Sequence, residues 1–370
     1  MCRLQSLKDW QVALAMTVAL RVFYSALAAA LSFHLHLDPA VIRTNAFTEN
    51  LPAPGSLYYA LLGVWERFDT LWYLQIVQHG YDPPMVPIFY PLYPAAIRVV
   101  SQAMPAMTAA LLISTVAAFF FSLGLLRLAA DALPGTRKHY VLLMVSVWPT
   151  SFILFAGYAE SLTLALVVWA VIGARENRWW LAGLCGMLAG LGRPSGVLVA
   201  IPLFLLGART RRAASLPVLL TPFGVLAYWA WLRWSGHLSV IAAYRLHQGM
   251  TLVPPWQGLG EALRLIVSRG DILLAIKLGC VAVFAILSLC REVRLEDKLF
   301  SLAVLLQMLM YTGRPLLGVM RYLLLVYPVF IVLANYAGQR NWKMVSLWVV
   351  PVGLLNLVWM WAFLNWSLVL

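Results

Sequence analysis

A single carboxylate, Asp69, stands among aromatic residues in the long stretch from Asp38 to Met104, which separates two apolar runs. Its surroundings read Arg67-Phe68-Asp69-Thr70-Leu71-Trp72-Tyr73. A carboxylate beside a bilayer is costly to keep in apolar surroundings, which makes Asp69 a candidate for chemistry. At hydrogen-bonding distance from a hydroxyl, it can accept the proton as a general base. Tyr73 follows one helical turn later, so we expect it to contact the same bound molecule.

Several arginines are candidates for binding an anion, because a guanidinium group donates charge-assisted hydrogen bonds to oxyanions. Arg193 ranks first, since it lies in Gly192-Arg193-Pro194-Ser195-Gly196 within an otherwise apolar segment, where a charge costs roughly 2.5 to 3.5 kcal/mol. An arginine that only snorkels to the interface is the plainer alternative. The further candidates are Arg321 with its neighbour Tyr322, then Arg245 and Arg314.

Glu160 follows the turn Gly157-Tyr158-Ala159 at a predicted helix start. There it can interact favourably with the helix dipole, or it can orient Arg193 or an acceptor hydroxyl. Arg321 and Tyr322 begin a predicted span, so anchoring at the interface is their plain alternative. His and Cys residues lack metal-ligand spacing, and the sequence predicts no cofactor and no metal site.

The composition sets these residues in a membrane. Of 370 residues, 62% are hydrophobic and 11% are charged, and the mean hydropathy is +0.83, a profile that soluble domains do not have. We predict an all-α polytopic membrane protein that forms one domain over residues 1–370. A span needs about 20 apolar residues, and about ten segments are predicted: Trp10 to Leu37, Pro105 to Ala130, Tyr140 to Ala156, Ser161 to Ala174, Trp179 to Leu206, Ala213 to Trp234, Ile272 to Leu289, Leu299 to Thr312, Gly318 to Ala337 and Val345 to Leu368.

The positions of Lys and Arg in the connections predict the orientation. With the amino terminus in the cytoplasm, the basic clusters fall on one side: Arg3 and Lys8; Arg127, Arg137 and Lys138; Arg175 and Arg178; Arg209, Arg211 and Arg212; Arg291, Arg294 and Lys298; Arg340 and Lys343. They agree only if residues 179–206 form a re-entrant segment or a broken hairpin, with the break at Arg193. The net charge of +13 is then a topology signal and an attraction to membrane lipids, without nucleic acid.

With that orientation, residues 38–104 form the first extracytoplasmic loop. Leu57 to Val64 and Phe68 to Val77 have helical apolar spacing, which predicts interfacial helices. The plain alternative for Asp69 is that it caps the second helix or pairs with Arg67.

Several motifs of the chain resemble the PIG-V family of mannosyltransferases, and in particular its shorter bacterial members. The first motif is Arg67-Phe68-Asp69 with Tyr73-Leu74, Ile76 and Gly80-Tyr81, followed by Phe89-Tyr90-Pro91-Leu92-Tyr93-Pro94. Weaker matches follow in order along most of the chain: Trp148-Pro149-Thr150-Ser151, Tyr158-Ala159-Glu160-Ser161-Leu162, Gly192-Arg193-Pro194-Ser195-Gly196, Pro254-Pro255-Trp256-Gln257-Gly258, and Arg321-Tyr322 with Tyr327-Pro328.

The resemblance implies a GT-C glycosyltransferase, a helical membrane enzyme. Such an enzyme moves a sugar from a polyprenyl-phosphate carrier to an acceptor hydroxyl on a lipid or glycan, with inversion at the anomeric carbon. The resemblance implies that the sugar is mannose. The resemblance also places the catalytic carboxylate in the first outer loop, which matches Asp69. The leaving phosphate develops negative charge, which suits Arg193 or Arg321.

The chain departs from the family pattern in two places. Phe68 stands where the family usually has Trp, and Asp82 to Ile88 lacks the acidic and His residues of many eukaryotic members. The resemblance to compact relatives implies a bacterial inner membrane with the active face outside. The sequence has no nucleotide-binding motif that would indicate ATP-driven transport or the use of a nucleotide sugar. The alternative from another class of protein is a lipid-linked-sugar flippase or a non-catalytic partner subunit of a glycan assembly complex.

Overall fold

The computed structural model describes residues 8–35, 55–82, 84, 86–210, 213–340 and 342–367. The described chain is mostly helical, as predicted, and its only strands there are two short ones, β1 (Thr251–Leu252) and β2 (Tyr311–Thr312), paired antiparallel. Residues 38–54 of the predicted outer loop, together with Arg3, Arg211 and Arg212, lie outside the described residues. The rest of the chain divides into two compact units, and the single domain over 1–370 stays a prediction.

Unit 1 consists of Met1–Gly80, Pro91–Ala165 and Ala334–Val369. Its α-helices are α1 (Asp9–Ser32), α2 (Leu57–Leu61), α3 (Asp69–His79), α4 (Leu92–Val100), α5 (Ala106–Ala130), α6 (Tyr140–Ser146), the start of α7 (Glu160–Arg175), the end of α16 (Tyr327–Gln339) and α17 (Trp342–Leu364). Short 3-10 helices cover Gly63–Trp65, Gly135–His139 and Ser151–Phe155. The long apolar helices α1 and α5 pack against each other.

Unit 2 consists of Tyr81–Tyr90 and Leu166–Leu333, with the terminal Leu370. Besides the remaining parts of α7 and α16, its α-helices are α8 (Trp179–Gly192), α9 (Ala200–Thr210), α10 (Leu220–Trp234), α11 (Val240–Gln248), α12 (Pro255–Arg269), α13 (Ile272–Ser288), α14 (Leu295–Met308) and α15 (Val319–Tyr322). Its 3-10 helices cover Val86–Ile88, Pro194–Val199, Ala213–Leu219 and Leu323–Leu325.

Four helical stretches within the described part of the chain are long and apolar enough to cross a membrane: Asp9–Ser32, Ala106–Ala130, Ala213–Trp234 and Val345–Leu364. A fifth is added if Val319–Leu325 and Tyr327–Gln339, which are bent by 78°, count as one broken span. These helices match five of the predicted segments and are consistent with a membrane protein. The total of about ten segments stays a prediction.

Besides the segments Trp179 to Leu206 and Gly318 to Ala337, two further predicted segments are not single helices. In the Tyr140 to Ala156 segment, the α-helix ends at Ser146 and a 3-10 helix begins at Ser151. The interruption contains Pro149, which cannot continue an α-helix. The buried amide of Asn356 donates to the Trp148 carbonyl at 2.7 Å, and the Ser151 N–H donates to the same carbonyl at 2.9 Å. The Leu299 to Thr312 segment ends as an α-helix at Met308, since Tyr311 and Thr312 form β2.

Ion pairs join helix ends that the sequence assigns to the cytoplasmic side. In unit 1, Lys138 Nζ lies 2.7 Å from the Asp9 carboxylate. In unit 2, Arg209 lies 3.0 Å from Glu296, and Arg175 lies 2.5 Å from Asp297. Within each unit, these basic clusters therefore share an end, as the orientation requires.

Glycines let α8 lie directly against α10 and the segment before it. A Cβ added at Gly183 would clash with the Pro217 carbonyl, and one added at Gly186 would clash with the Thr221 side chain. Such small-residue faces allow helix backbones to approach closely in membranes. The helix ends at Gly192, and a 3-10 helix begins at Pro194; the re-entrant segment or broken hairpin over residues 179–206 stays a prediction.

Candidate active site

Asp69 is the first residue of α3, and its side chain is partly buried. The N-cap is Phe68, whose side chain makes no capping hydrogen bond. The Asp69 N–H donates to the Tyr158 hydroxyl at 3.3 Å, which brings together two motifs 89 residues apart. A helix is present where the sequence predicts one over Phe68 to Val77, and it buries Leu71, Trp72, Tyr73 and Ile76 within the protein; its place at a membrane interface stays a prediction.

The turn that leads into α3 is strained. Phe68 has φ 47° and ψ −117°, and the Thr70 N–H donates to the Arg67 carbonyl across it at 3.1 Å. These values match the second residue of a type II′ turn, a place that glycine dominates. A residue other than glycine held there costs about 1 to 3 kcal/mol, and such strain clusters at functional sites.

Arg67 fixes the chain just before Asp69. Its side chain is 1% exposed, and it donates to Leu364 O at 2.9 Å, to Gly63 O at 3.2 Å, to Glu66 O at 3.0 Å and to the Tyr59 hydroxyl at 2.7 Å. The guanidinium group also lies 5.1 Å from the Trp366 ring centroid. These donors are bound by main-chain carbonyls and a phenol, which gives Arg67 a structural role.

Tyr73 faces a buried polar chain within unit 1. Its ring lies edge-on to Tyr93 at 4.9 Å between centroids. The Tyr93 hydroxyl is 2.7 Å from Ser114 Oγ, and Ser114 Oγ donates to the Tyr158 carbonyl at 3.2 Å. Tyr73 and Asp69 therefore contact opposite ends of one buried chain of polar groups.

Glu160 is the first residue of α7 and is 4% exposed, which fits the predicted interaction with the helix dipole. It belongs to the same buried group: burial raises the pKa of Tyr93, the Glu160 charge raises it further, and the Arg21 charge opposes both. Arg21 donates to the Phe155 carbonyl at 2.5 Å and lies over the Trp65 ring. Its place inside a predicted span was the signal that could have found it.

Glu66 is a second carboxyl group near Asp69 that the sequence analysis did not single out. It is 7% exposed. Burial raises the pKa of Glu66 to about 7, although the Arg67 charge and a hydrogen bond with Tyr58 oppose the shift. The aromatic and apolar residues on both sides of it along the chain were the available signal.

In unit 2, two candidate arginines share one aromatic ring. Arg193 Nη2 donates to the Tyr322 hydroxyl at 3.1 Å, and its guanidinium carbon lies 4.9 Å from the Tyr322 centroid. The Arg321 guanidinium carbon lies 5.6 Å from the same centroid. The structure therefore brings Arg193 into contact with Tyr322, which lies 129 positions further along the chain. Arg321, the sequence neighbour of Tyr322, contacts the same ring.

Tyr244 extends this aromatic group. Burial raises the pKa of Tyr244, the nearby phenols of Tyr322 and Tyr311 raise it further, and the Arg193 charge opposes them. The remaining candidates differ: Arg245, in the last turn of α11, and Arg314 are both exposed. The turn that carries Arg314 is held by Glu261, whose carboxylate accepts from the Gly313 N–H at 3.2 Å.

The predicted residues thus belong to two groups, each described within its own unit. Asp69, Tyr73 and Glu160 lie in unit 1; Arg193, Arg245, Arg314, Arg321 and Tyr322 lie in unit 2. Within the described ranges, no three His, Cys, Asp or Glu side chains are grouped so that they could hold a metal ion.

Comparison with known proteins adds no family. The chain matches no protein-family model, no curated protein and no solved structure.

Proposed function

We propose that the chain is an inverting glycosyltransferase of the GT-C type, and the motif resemblance to PIG-V mannosyltransferases is the starting point of this proposal. The donor is a polyprenyl-phosphate sugar, mannose by that resemblance, and the acceptor is a hydroxyl on a lipid or glycan. The proposed setting is the extracytoplasmic face of a bacterial inner membrane. One observation carries the proposal: Asp69 is held partly buried in a strained turn against Tyr158.

In the proposed reaction, the acceptor oxygen attacks the anomeric carbon of the donor. The bond from that carbon to the phosphate oxygen breaks, and the polyprenyl phosphate leaves with the electron pair. Asp69 accepts the hydroxyl proton as the new bond forms, which is general base catalysis. Attack opposite the leaving group inverts the anomeric configuration. Tyr73 and Glu160 bind the acceptor beside Asp69.

Arg193 and Arg321 bind the donor phosphate in this proposal. The guanidinium carbons of Arg193 and Arg321 lie 4.9 Å and 5.6 Å from the centroid of the Tyr322 ring, so two positive charges are held beside one aromatic side chain. Guanidinium groups donate charge-assisted hydrogen bonds to phosphate oxygens, and the phosphate gains negative charge as it leaves. Tyr322 orients Arg193 through its hydroxyl. Arg245 and Arg314 are secondary candidates because they are exposed.

The decisive experiment replaces Asp69 with Asn and measures transfer of mannose from polyprenyl-phosphate mannose to membrane acceptors. Loss of a general base lowers turnover by about 10² to 10⁴. The matched control is Asp82→Asn, which changes an exposed carboxylate downstream in the same predicted loop and should leave transfer unchanged. Binding of the donor should survive in both variants.

Two results would contradict the proposal. One is full transfer by the Asp69→Asn protein. The other is a wild-type protein in vesicles that moves the lipid-linked sugar across the bilayer without any transfer, which would favour the flippase alternative.

A further inference from the structure

Two residues in the left-handed region of backbone conformation contact each other beside Asp69. Phe68 has φ 47° and Trp366 has φ 59°, and their ring centroids are 5.2 Å apart. Trp366 follows the last turn of α17, where the Ser367 N–H donates to Ala362 O at 3.0 Å, an arrangement that usually has glycine in the place of Trp366. Two aromatic side chains therefore occupy glycine-like positions in direct contact.

The surroundings of Phe68 hold it in place from both sides. Its ring also contacts Phe363, at 5.6 Å between centroids. On the preceding side, Arg67 is bound to the Leu364 carbonyl. On the following side, the Asp69 N–H is bound to Tyr158. Strained residues persist where such contacts over-determine them.

We infer that the carboxyl-terminal end of α17 is the positioning element for Asp69, with Phe68 and Trp366 as positioning residues. Trp366 and Phe363 hold the Phe68 ring, the ring holds the backbone at positive φ, and that backbone sets the direction of the first turn of α3. The inference rests on the proposed function, because it states that this contact orients the catalytic carboxylate of Asp69. A displacement of about 1 Å at a reacting group lowers rates by about 10².

The test compares Phe68→Ala with Phe68→Gly, which remove the same ring. Alanine has the same steric penalty at positive φ as phenylalanine. Without the ring contacts, the backbone at position 68 should therefore relax to a negative φ. Glycine adopts the turn without strain. We expect the alanine protein to lose roughly 10- to 100-fold in kcat, with the donor KM little changed, and the glycine protein to recover most of that loss.

Thermal stability should follow the same order, with the glycine protein melting roughly 2 to 6 °C above the alanine protein. This order is the reverse of that at an ordinary helical position. Phe120, an exposed phenylalanine within α5, supplies the matched control: there, alanine should be the more stable of the two. The pair Trp366→Ala and Trp366→Gly repeats the comparison from the other side of the contact.

The outcomes separate this inference from the proposed function. Alanine at least as active and as stable as glycine at position 68 overturns the inference, even if Asp69→Asn abolishes transfer. Full transfer by Asp69→Asn overturns the proposed function, while the order of melting temperatures still reports whether Phe68 and Trp366 are strained. If the position 68 proteins do not accumulate, the order at position 366 decides the matter in the same way.

Discussion

Arg67 in unit 1 and Arg193 in unit 2 both lie beside aromatic rings, but their guanidinium N–H groups donate to different kinds of group. Arg67 is 1% exposed, and it donates to three main-chain carbonyls and a phenol. Arg193 is partly buried, and its donation to Tyr322 is a bond to a side chain that Arg321 also contacts. A guanidinium bound to main-chain carbonyls supports the fold, whereas one that shares a ring with a second cation is suited to an anion.

The largest effect that distinguishes the two should come from Arg67→Met. The substitution removes the Arg67 donors from the carbonyls of Leu364 and Glu66 in a buried place, while the Gly63 carbonyl keeps its bond from the Glu66 N–H. Loss of one partner from a buried charged network costs about 3 to 5 kcal/mol of unfolding free energy. The measurement is the thermal unfolding midpoint in detergent. The control is Arg98→Met, at an exposed arginine of α4; equal midpoints for the two variants would show that Arg67 does not support the fold.

Arg193→Ala should have the opposite profile, with a small change in stability and a large loss in donor use. Removing one partner of a buried charge pair costs about 2 to 5 kcal/mol, here as a lower kcat/KM for the polyprenyl-phosphate donor. Arg264→Ala, at an exposed arginine of α12, is the control. Unchanged donor use by the Arg193 variant would remove the contrast with Arg67.

Glu66→Gln sharpens the Arg67 side of the comparison through pH. Because burial raises the folded-state pKa of Glu66 from 4.5 to about 7, the folded protein retains this proton where the unfolded chain has lost it. The unfolding free energy should therefore fall as pH rises from about 4.5 to about 7, by up to about 3 kcal/mol.

The glutamine variant carries no such proton, so its stability should lack this decline. Chemical or thermal unfolding of both proteins across that pH range provides the measurement. Parallel curves for the two proteins would mean that Glu66 is ionised in the folded state, and that Arg67 acts as its ion-pair partner after all.

The sequence predicted those parts of the fold that depend on local composition. The spans at Asp9–Ser32 and Ala106–Ala130 follow from continuous apolar runs, and the break at Arg193 follows from Gly192 and Pro194. The break near Pro149 was missed, although proline was visible there. The side chain that binds the chain at this break is Asn356, which donates to the Trp148 carbonyl from 208 positions away.

The candidate site was predicted in part for the same reason. Asp69 and Glu160 were identified from residue type and neighbours. The buried role of Arg67 could not be predicted, because one of its acceptors, Leu364, lies 297 positions along the chain. The pairing of β1 with β2 and the contact of Arg193 with Tyr322 are likewise long-range events that no local pattern encodes.

Arg193 directly follows the last residue of α8, a helix that packs closely against its neighbours. The Pro217 carbonyl and the Thr221 side chain fill the space that side chains at Gly183 and Gly186 would need, and after Arg193 the residue Gly196 is pressed against Ala189. The backbone that carries Arg193 is therefore held by close packing against neighbouring segments. We expect the guanidinium group to change position mainly by rotation about the side-chain bonds of Arg193, with its Cα atom staying in place.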